Sequence, residues 1–258
     1  MTLKPLLLAS LALLLASCGD DDLVTVNVDC LPPNLQAGVL AFYPFNGGSL
    51  ADETSNANDL TNPSTAQPSI DRNGNASCAY AFNNTQNSGE FLTSANASFL
   101  NGLDRLTISL WYQPLDSTRP SGKYETLLGR GDERSCSDNS GQWAVGLFDC
   151  RRAVFGYNTS VWADFVTGLT DGCDGEVTAL TDRWHHVVAI KDGADYSIYF
   201  NGTLQEQDSN TDSCVDPNLG EVFIGADFTG RIDDILLYNR ALSAAEVTEL
   251  FNLTACCE

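Results

Sequence analysis

Residues 184–207 read WHHVVAIKDGADYSIYFNGTLQEQ, and this stretch decides the fold. It contains three short runs rich in β-branched and aromatic residues, separated by the dipeptides Asp192-Gly193 and Asn201-Gly202. Both dipeptides are typical of two-residue hairpin turns, because glycine accepts the positive φ that such turns impose. The stretch therefore predicts a meander of three antiparallel strands.

Similar short runs recur on both sides of this meander. In one of them, Leu106, Ile108 and Leu110 alternate with polar residues and Trp111, so one face of that strand is predicted to lie in the core. The other runs span residues 39–45, 79–82, 125–128, 143–148, 153–157, 161–165, 222–224 and 232–238. Many short strands between turn residues, with no internal linker, favour a single β-sandwich.

One helix is expected near the carboxyl terminus. Ser243 and Glu246 have the spacing of a capping box, in which each side chain bonds to the backbone N–H of the other residue. Val247, Leu250 and Phe251 follow on one side at helical period. The sequence thus predicts one short helix after the last strand.

Five motifs in this order carry a family resemblance. They are AFYPFNG at 41–47, LTISLW at 106–111, WHHVVA at 184–189, IYFNG at 198–202 and GRIDDILLYNRALS at 230–243. The chain resembles the laminin-G-like, concanavalin A-like jelly-roll domains of bacterial surface proteins over residues 36–252, and departs most at 114–182. The resemblance implies an all-β antiparallel sandwich with one short C-terminal helix.

The amino terminus carries an export signal. Lys4 is followed by an apolar segment and the tetrad Leu15-Ala16-Ser17-Cys18. This pattern resembles the bacterial lipobox, in which the cysteine is acylated and becomes the first residue of the mature chain. We expect a signal peptide at 1–17, an acidic tether at 18–35 and the jelly-roll domain at 36–258. The protein is then an outer-membrane lipoprotein of the cell envelope, held by its lipid alone, and acidic residues after Cys18 resemble signals for surface exposure.

The charge balance limits the partners. The formal net charge is −21, with 13 basic and 34 acidic residues. Such a chain repels polyanions, so nucleic acid is excluded as a partner. Glycans and surface proteins remain, and a glycan is the usual expectation for the family that the chain resembles.

Eight cysteines remain if Cys18 carries lipid. An even number in an exported chain predicts disulfides, because the envelope is oxidising. Proximity along the chain favours Cys136–Cys150 and Cys173–Cys214. Cys30, Cys78, Cys256 and Cys257 flank the domain and are candidates for tying its termini to its body.

A structural calcium ion is implied by the resemblance. The site is carried to Asp52, Asn56 and Asp233, with backbone carbonyls completing it. Oxygen ligands of this kind suit calcium. The alternative is that these side chains only make hydrogen bonds within turns.

Exposed aromatic rings would be needed to stack on a sugar. The candidates are Trp143, Tyr157 and Trp162, with Tyr124 as a fourth, all within the divergent region. The alternative is that these rings pack in the core.

Catalysis is not expected. The Glu-x-Asp-x-x-Glu strand of concanavalin A-like glucanases is missing, and His185 and His186 point to opposite faces of an alternating strand. The sequence therefore predicts a binding module, with a glycan as ligand. A protein-binding adhesion module and a glucanase-like hydrolase are the alternatives.

Overall fold

The structure, a computed structural model, describes residues 28–85, 89–94, 96–116, 124–131, 143–148, 151–158, 181–209 and 220–257, and the backbone of 162–166. These residues form two antiparallel sheets and two short helices, which confirms the predicted all-β sandwich. The strands are β1 Val39–Tyr43, β2 Gln67–Ser69, β3 Ala79–Asn83, β4 Leu92–Ser94, β5 Arg105–Pro114, β6 Glu125–Arg130, β7 Trp143–Phe148, β8 Arg152–Asn158, β9 Trp162–Val166, β10 His185–Asp192, β11 Asp195–Phe200, β12 Thr203–Ser209, β13 Val222–Ile224 and β14 Thr229–Tyr238. The helices are α1 Pro33–Gln36 and α2 Ala244–Asn252, and two 3₁₀ turns span Asn46–Gly48 and Ser98–Leu100.

The first sheet has eight strands, in the order β12-β11-β10-β5-β14-β3-β2, with β1 beside the second half of β14. The predicted meander is confirmed as β10, β11 and β12. Asn201 and Gly202 both have positive φ, 48° and 77°, as a two-residue hairpin turn requires. The second sheet has six strands, in the order β4-β13-β6-β7-β8-β9.

The main core lies between the two sheets. Leu106, Ile108 and Leu110 of β5 face it, as their alternation predicted. From the second sheet, Val145 and Phe155 point into the same core. Val222 and Ile224 of β13 also point inward, so the side chain between them points out.

A second apolar cluster covers the outer face of the eight-stranded sheet. Val247 and Leu250 of α2 pack there beside Leu31 and Leu35 of the amino-terminal segment. The capping box of α2 is confirmed, since the Ser243 hydroxyl accepts from the Glu246 N–H at 3.3 Å. The central strands β5, β10 and β14 are therefore buried on both faces, although the sequence indicated a core on one face only.

Two disulfides fasten this cover. Cys30 bonds to Cys256, and Cys78 bonds to Cys257, so the carboxyl-terminal residues are joined to both the amino-terminal segment and the start of β3. Of the remaining predicted cysteines, Cys136, Cys150, Cys173 and Cys214 lie outside the described residues, as do Cys18 and the predicted signal peptide. In the part of the chain that the structure covers, neither helix is long and apolar enough to cross a membrane.

Candidate functional site

An open groove crosses the outer face of the six-stranded sheet where β6 and β13 pair. Its volume is about 530 Å³. It is lined by Thr126, Gly129, Gly131, Gly220, Glu221, Phe223, Ala226 and Asp227. A concave surface of this size lies within the range of small-ligand sites.

Glycine residues keep this groove open. Gly129 places no side chain on its floor, and a Cβ there would lie 3.3 Å from the Thr126 methyl group. At one end Gly131 and Gly220 approach so closely that a Cβ on Gly220 would lie 2.4 Å from the Cα of Gly131. Gly131 also donates to the Glu221 carbonyl at 2.9 Å, which fixes this approach.

Phe223 supplies the aromatic ring of the groove. It lies between the inward-pointing Val222 and Ile224, so the pleat of the strand directs it outward. Its ring is half-buried and makes an edge-to-face pair with Phe91, with ring centroids 5.6 Å apart. The pair fixes the ring orientation.

A smaller polar lobe adjoins the groove at Gly220 and Glu221. This lobe has a volume of about 320 Å³ and is also lined by Asn96, Ala97, Ser98, Asn101 and Arg130. Ser98 and Asn96 are exposed, and the Ser98 hydroxyl donates to the Asn96 side-chain oxygen at 2.7 Å. The two lobes have Gly220 and Glu221 in common, so they adjoin at these residues.

Arg130 forms the base of the polar lobe and is only 2% exposed. Its Nη1 donates to the Leu100 carbonyl at 2.8 Å, its Nη2 to the Asn101 side-chain oxygen and its Nε to the Gly220 carbonyl at 3.4 Å. Burial lowers the pKa of Arg130. The guanidinium thus joins the 98–101 turn to Gly220, and it holds the walls of the lobe together.

The aromatic residues predicted to stack on a sugar lie elsewhere. Trp143 and Tyr157 are 2% and 6% exposed and belong to the main core. The prediction that these two rings are exposed and stack on a sugar is therefore wrong. The alternative, that they pack in the core, is what the structure shows. Tyr124 packs its ring over Gly146, and the side chain of Trp162 lies outside the described part of the chain.

A buried charged cluster lies on the opposite side of the molecule, beneath α2. Arg72 Nη1 lies 2.9 Å from Asp233 and 2.7 Å from Asp234. Its guanidinium also lies 4.6 Å above the ring of Trp111, which in turn stacks on Phe251. A bulge in β14, where Asp234 has a φ of 44°, interrupts the pairing with β5 directly after Asp233.

His186 completes this cluster. Its Nε2 lies 2.9 Å from the Ser109 hydroxyl, and its ring lies 4.9 Å from that of Trp111. Burial, with a smaller contribution from Arg72, lowers the pKa of His186 to about 3. His185 faces the main core instead, so the two histidines do point to opposite faces, but both are buried because α2 covers the outer one.

The residues predicted to bind calcium are engaged in other contacts. Asp52 accepts four hydrogen bonds, from the backbone of Phe42, Thr54 and Asn58 and from the Thr54 hydroxyl. Asn56 donates its amide to the Leu40 carbonyl at 3.0 Å, and Asp233 is paired with Arg72. Within the described ranges no three acidic, histidine or cysteine residues are grouped as a metal ion requires. The present side chains therefore do not fit a calcium site, because a cation would have to displace these donors and Arg72.

The sequence reasoning missed the groove. Phe223 lies within a strand that was predicted, and its alternation with Val222 and Ile224 was the available signal. The same reasoning would have placed Trp143 on the inward face of β7 with Val145 and Leu147. No sequence pattern pointed to Arg130 or to the turn at 98–101, because these residues are distant in the sequence and come into contact only in the folded chain.

Comparison with known proteins assigns the fold. The family model described as the concanavalin A-like lectin/glucanases superfamily matches residues 83–248, which is more than half of the chain. No curated protein matches the sequence.

Several solved structures are similar to this chain. The binding domain of Paraclostridial Mosquitocidal Protein 1 has a TM-score of 0.66 at 19% identity, covering 83% of this chain and 52% of that one. Domain 4 of AbnA, a GH43 extracellular arabinanase from Geobacillus stearothermophilus solved with arabinotriose, has a TM-score of 0.60 at 20% identity, covering 83% and 98%. A structure of botulinum neurotoxin type C, whose title describes cell entry through two ganglioside molecules, has a TM-score of 0.62 at 13% identity, covering 83% and 51%. The chain thus spans about half the length of these two toxin domains and nearly all of the arabinanase domain.

Proposed function

Because the chain belongs to the concanavalin A-like lectin/glucanases superfamily, we propose that it is a glycan-binding module of the cell envelope. The groove between β6 and β13 is its binding site. The module holds its ligand and performs no chemistry on it. Lipid on Cys18 anchors it to the outer membrane.

The open groove is the observation that carries this proposal. Sugars bind where an aromatic ring faces their C–H surface and polar groups meet their hydroxyls. Phe223 supplies the ring, and the amide and hydroxyl groups of Asn96, Ser98 and Asn101 supply the polar groups. Both parts are built on a rigid sheet with a turn beside it, as is usual for binding sites on this kind of scaffold.

The groove carboxylates do not favour hydrolysis. Glu221 precedes β13 and Asp227 follows it. At about 3.3 Å per residue, the extended backbone from Glu221 to Gly225 alone spans about 13 Å. Glycosidases place their carboxylates about 5–10 Å apart across the scissile bond, so two groups at opposite ends of a strand suit binding better.

The position of Val28 and Leu31, near the start of the described chain, supports presentation from a membrane. Residues Val28 and Leu31 pack on the outer face of the eight-stranded sheet, which is the side of the sandwich opposite the groove. A lipid on Cys18 would be connected through residues 19–27, a segment that reaches at most about 35 Å when extended. The groove would then face away from the membrane that holds the protein.

A glycan array probed with the full-length chain, purified in detergent with its disulfides intact, tests the proposal. We expect binding to a subset of oligosaccharides, and Phe223→Ala should weaken it about tenfold. Phe148→Ala is the matched control, because Phe148 is 38% exposed on β7 of the same sheet but does not line the groove. Equal binding by both variants would place the site elsewhere, and no binding by the folded protein would favour a protein ligand instead.

A further inference from the structure

The two lobes of the groove differ in polarity, but the exposed charged side chains of the described lining are negative in both. The larger lobe offers Phe223 and bare glycine backbone, and the smaller lobe offers side-chain amides and a hydroxyl. Each lobe has at least the volume of a small-ligand site, about 300 Å³. A ligand that fills both lobes therefore needs at least two linked units, one on the ring and one among the amides.

Among the described residues that line the groove, the two exposed charges are negative. Glu221 lies where the two lobes meet, and Asp227 lies at the end of the larger one. Both side chains are exposed to solvent. A carboxylate or sulfate on a ligand in the larger lobe would lie between two like charges, which disfavours binding.

The cation found among the described lining residues, Arg130, does not offset this charge. All three guanidinium nitrogens of Arg130 donate to protein oxygens, on Leu100, Asn101 and Gly220. With 2% of its surface exposed, Arg130 has no face to present to an anion. A ligand carboxylate would have to break these bonds before it could pair with the guanidinium.

In the sequence, the segments that adjoin Gly131 and Gly220 are also mostly acidic. Gly131 is followed by residues 132–142, and Gly220 is preceded by residues 210–219, and these two segments carry five acidic residues against Arg134 alone. The whole chain has a formal net charge of −21. Long-range repulsion therefore also works against an anionic ligand.

The polar groups of the smaller lobe suit uncharged hydroxyls. A side-chain amide both donates and accepts, and so does a hydroxyl, which matches the two-way hydrogen bonding of a sugar hydroxyl. Asn96 and Ser98 are exposed at this lobe. These groups recognise hydroxyl geometry without needing a charge on the ligand.

We infer that the ligand is an uncharged oligosaccharide of at least two units, bound with one unit on Phe223 and the next beside Asn96 and Asn101. Acidic glycans, which carry uronate, sialate or sulfate groups, are rejected by Glu221 and Asp227. The inference rests on the proposed glycan-binding function and narrows its substrate class.

Matched ligand pairs test the inference. Uronate-containing oligosaccharides are compared with the same oligosaccharides after carboxyl reduction, which replaces each carboxylate with an uncharged hydroxymethyl group. Both sets are titrated into the full-length protein. We expect the neutral member of any bound pair to bind at least tenfold more tightly at 20 mM NaCl, with the difference shrinking at 500 mM NaCl because salt screens the repulsion. The double variant Glu221→Gln and Asp227→Asn should raise the affinity for acidic members relative to neutral ones by at least fivefold. Asn suits position 227, whose φ is 59°.

The outcomes separate this inference from the proposed function. Preference for the acidic members, or an unchanged preference in the double variant, would overturn the inference while leaving glycan binding established. Binding of neither member, and of no glycan on the array, would overturn the proposed function and the inference with it. Single sugars binding as tightly as oligosaccharides would contradict the two-lobe arrangement.

Discussion

The two outer faces of the sandwich are used in opposite ways. On the eight-stranded sheet, α2 and the amino-terminal segment cover a buried charged cluster, and two disulfides hold that cover in place. On the six-stranded sheet, glycines and the half-buried Phe223 leave the surface over β6 and β13 open. In the proposed function, the covered face serves stability and the groove on the other face binds the ligand. Variants in the first region should change unfolding, and variants in the second should change binding.

Removing Arg72 should have the largest effect. Arg72→Met leaves Asp233 and Asp234 buried without their cation, and burial already raises the pKa of both carboxyl groups. Breaking a buried ion pair by removing one partner typically costs about 3–5 kcal/mol of unfolding free energy. Denaturant unfolding measures this loss.

The matched control for Arg72 is Arg105→Met. Arg105 pairs with Asp192 at 2.8 Å, but the two side chains are 60% and 52% exposed. An exposed pair contributes at most about 1 kcal/mol, so this variant should unfold almost as the parent does. Equal losses in the two variants would show that burial of the cluster is not what makes Arg72 important.

Removing one disulfide should have the next largest effect. Cys78→Ala with Cys257→Ala frees the carboxyl-terminal residues from β3 and should lower the unfolding free energy by about 2–5 kcal/mol. Thermal and denaturant unfolding report the loss. Glycan binding at 25 °C should stay within twofold of the parent, since neither cysteine lines the groove. A folded variant that loses binding would contradict the independence of the two faces.

The pH dependence of stability tests the burial of His186. Its folded pKa of about 3 is below the ordinary value of 6.5, so between these values the unfolded chain takes up a proton that the folded chain does not. Stability from this residue is present above pH 6.5 and falls as the pH is lowered, by about 1.4 kcal/mol per pH unit. Between pH 6.5 and 5 the parent should lose about 2 kcal/mol more than His186→Asn.

Denaturant unfolding of both proteins across this pH range measures the difference. The raised pKa values of Asp233 and Asp234 change the stability with pH in the opposite direction. Because both aspartates are present in the parent and in the variant, the difference between the two proteins reports on His186. Parallel pH profiles would mean that the imidazole is accessible to protons in the folded state.

Removing divalent cations should have the smallest effect. Asp52 and Asp233 already have protein partners, so chelator should leave the melting temperature within about 1 °C of its value in calcium. Calorimetric scans in calcium and in chelator measure the two melting temperatures. A clear rise with calcium would show that an ion binds and that these contacts rearrange around it.

Most of the fold was predictable because its signals are local. The hairpin at Asn201-Gly202, the alternation in β5 and the capping box at Ser243 each depend on residues close in the sequence. The strands β2 and β4 were missed. Each has three residues and no apolar alternation, and only pairing with a neighbouring strand makes them extended.

The site was less predictable because it depends on contacts between distant residues. Arg72 meets Asp233 across 161 positions, and Arg130 meets Gly220 across 90. Residue type alone favoured Trp143 and Tyr157 as rings that stack on a sugar. They pack in the core instead, because both lie on the inward faces of their strands. The smaller Phe223 was overlooked because it lies within a short apolar run.

One measurement tests the difference between the two faces directly. Backbone and indole N–H resonances of the full-length protein are followed by NMR during titration with a neutral oligosaccharide that the glycan array has identified as a ligand. We predict shifts at Gly129, Gly131 and Phe223 and around Asn101, with the Trp111 indole and Leu250 beneath the disulfide-fastened cover unchanged. Shifts at Trp111 and α2, with the groove unchanged, would contradict the account.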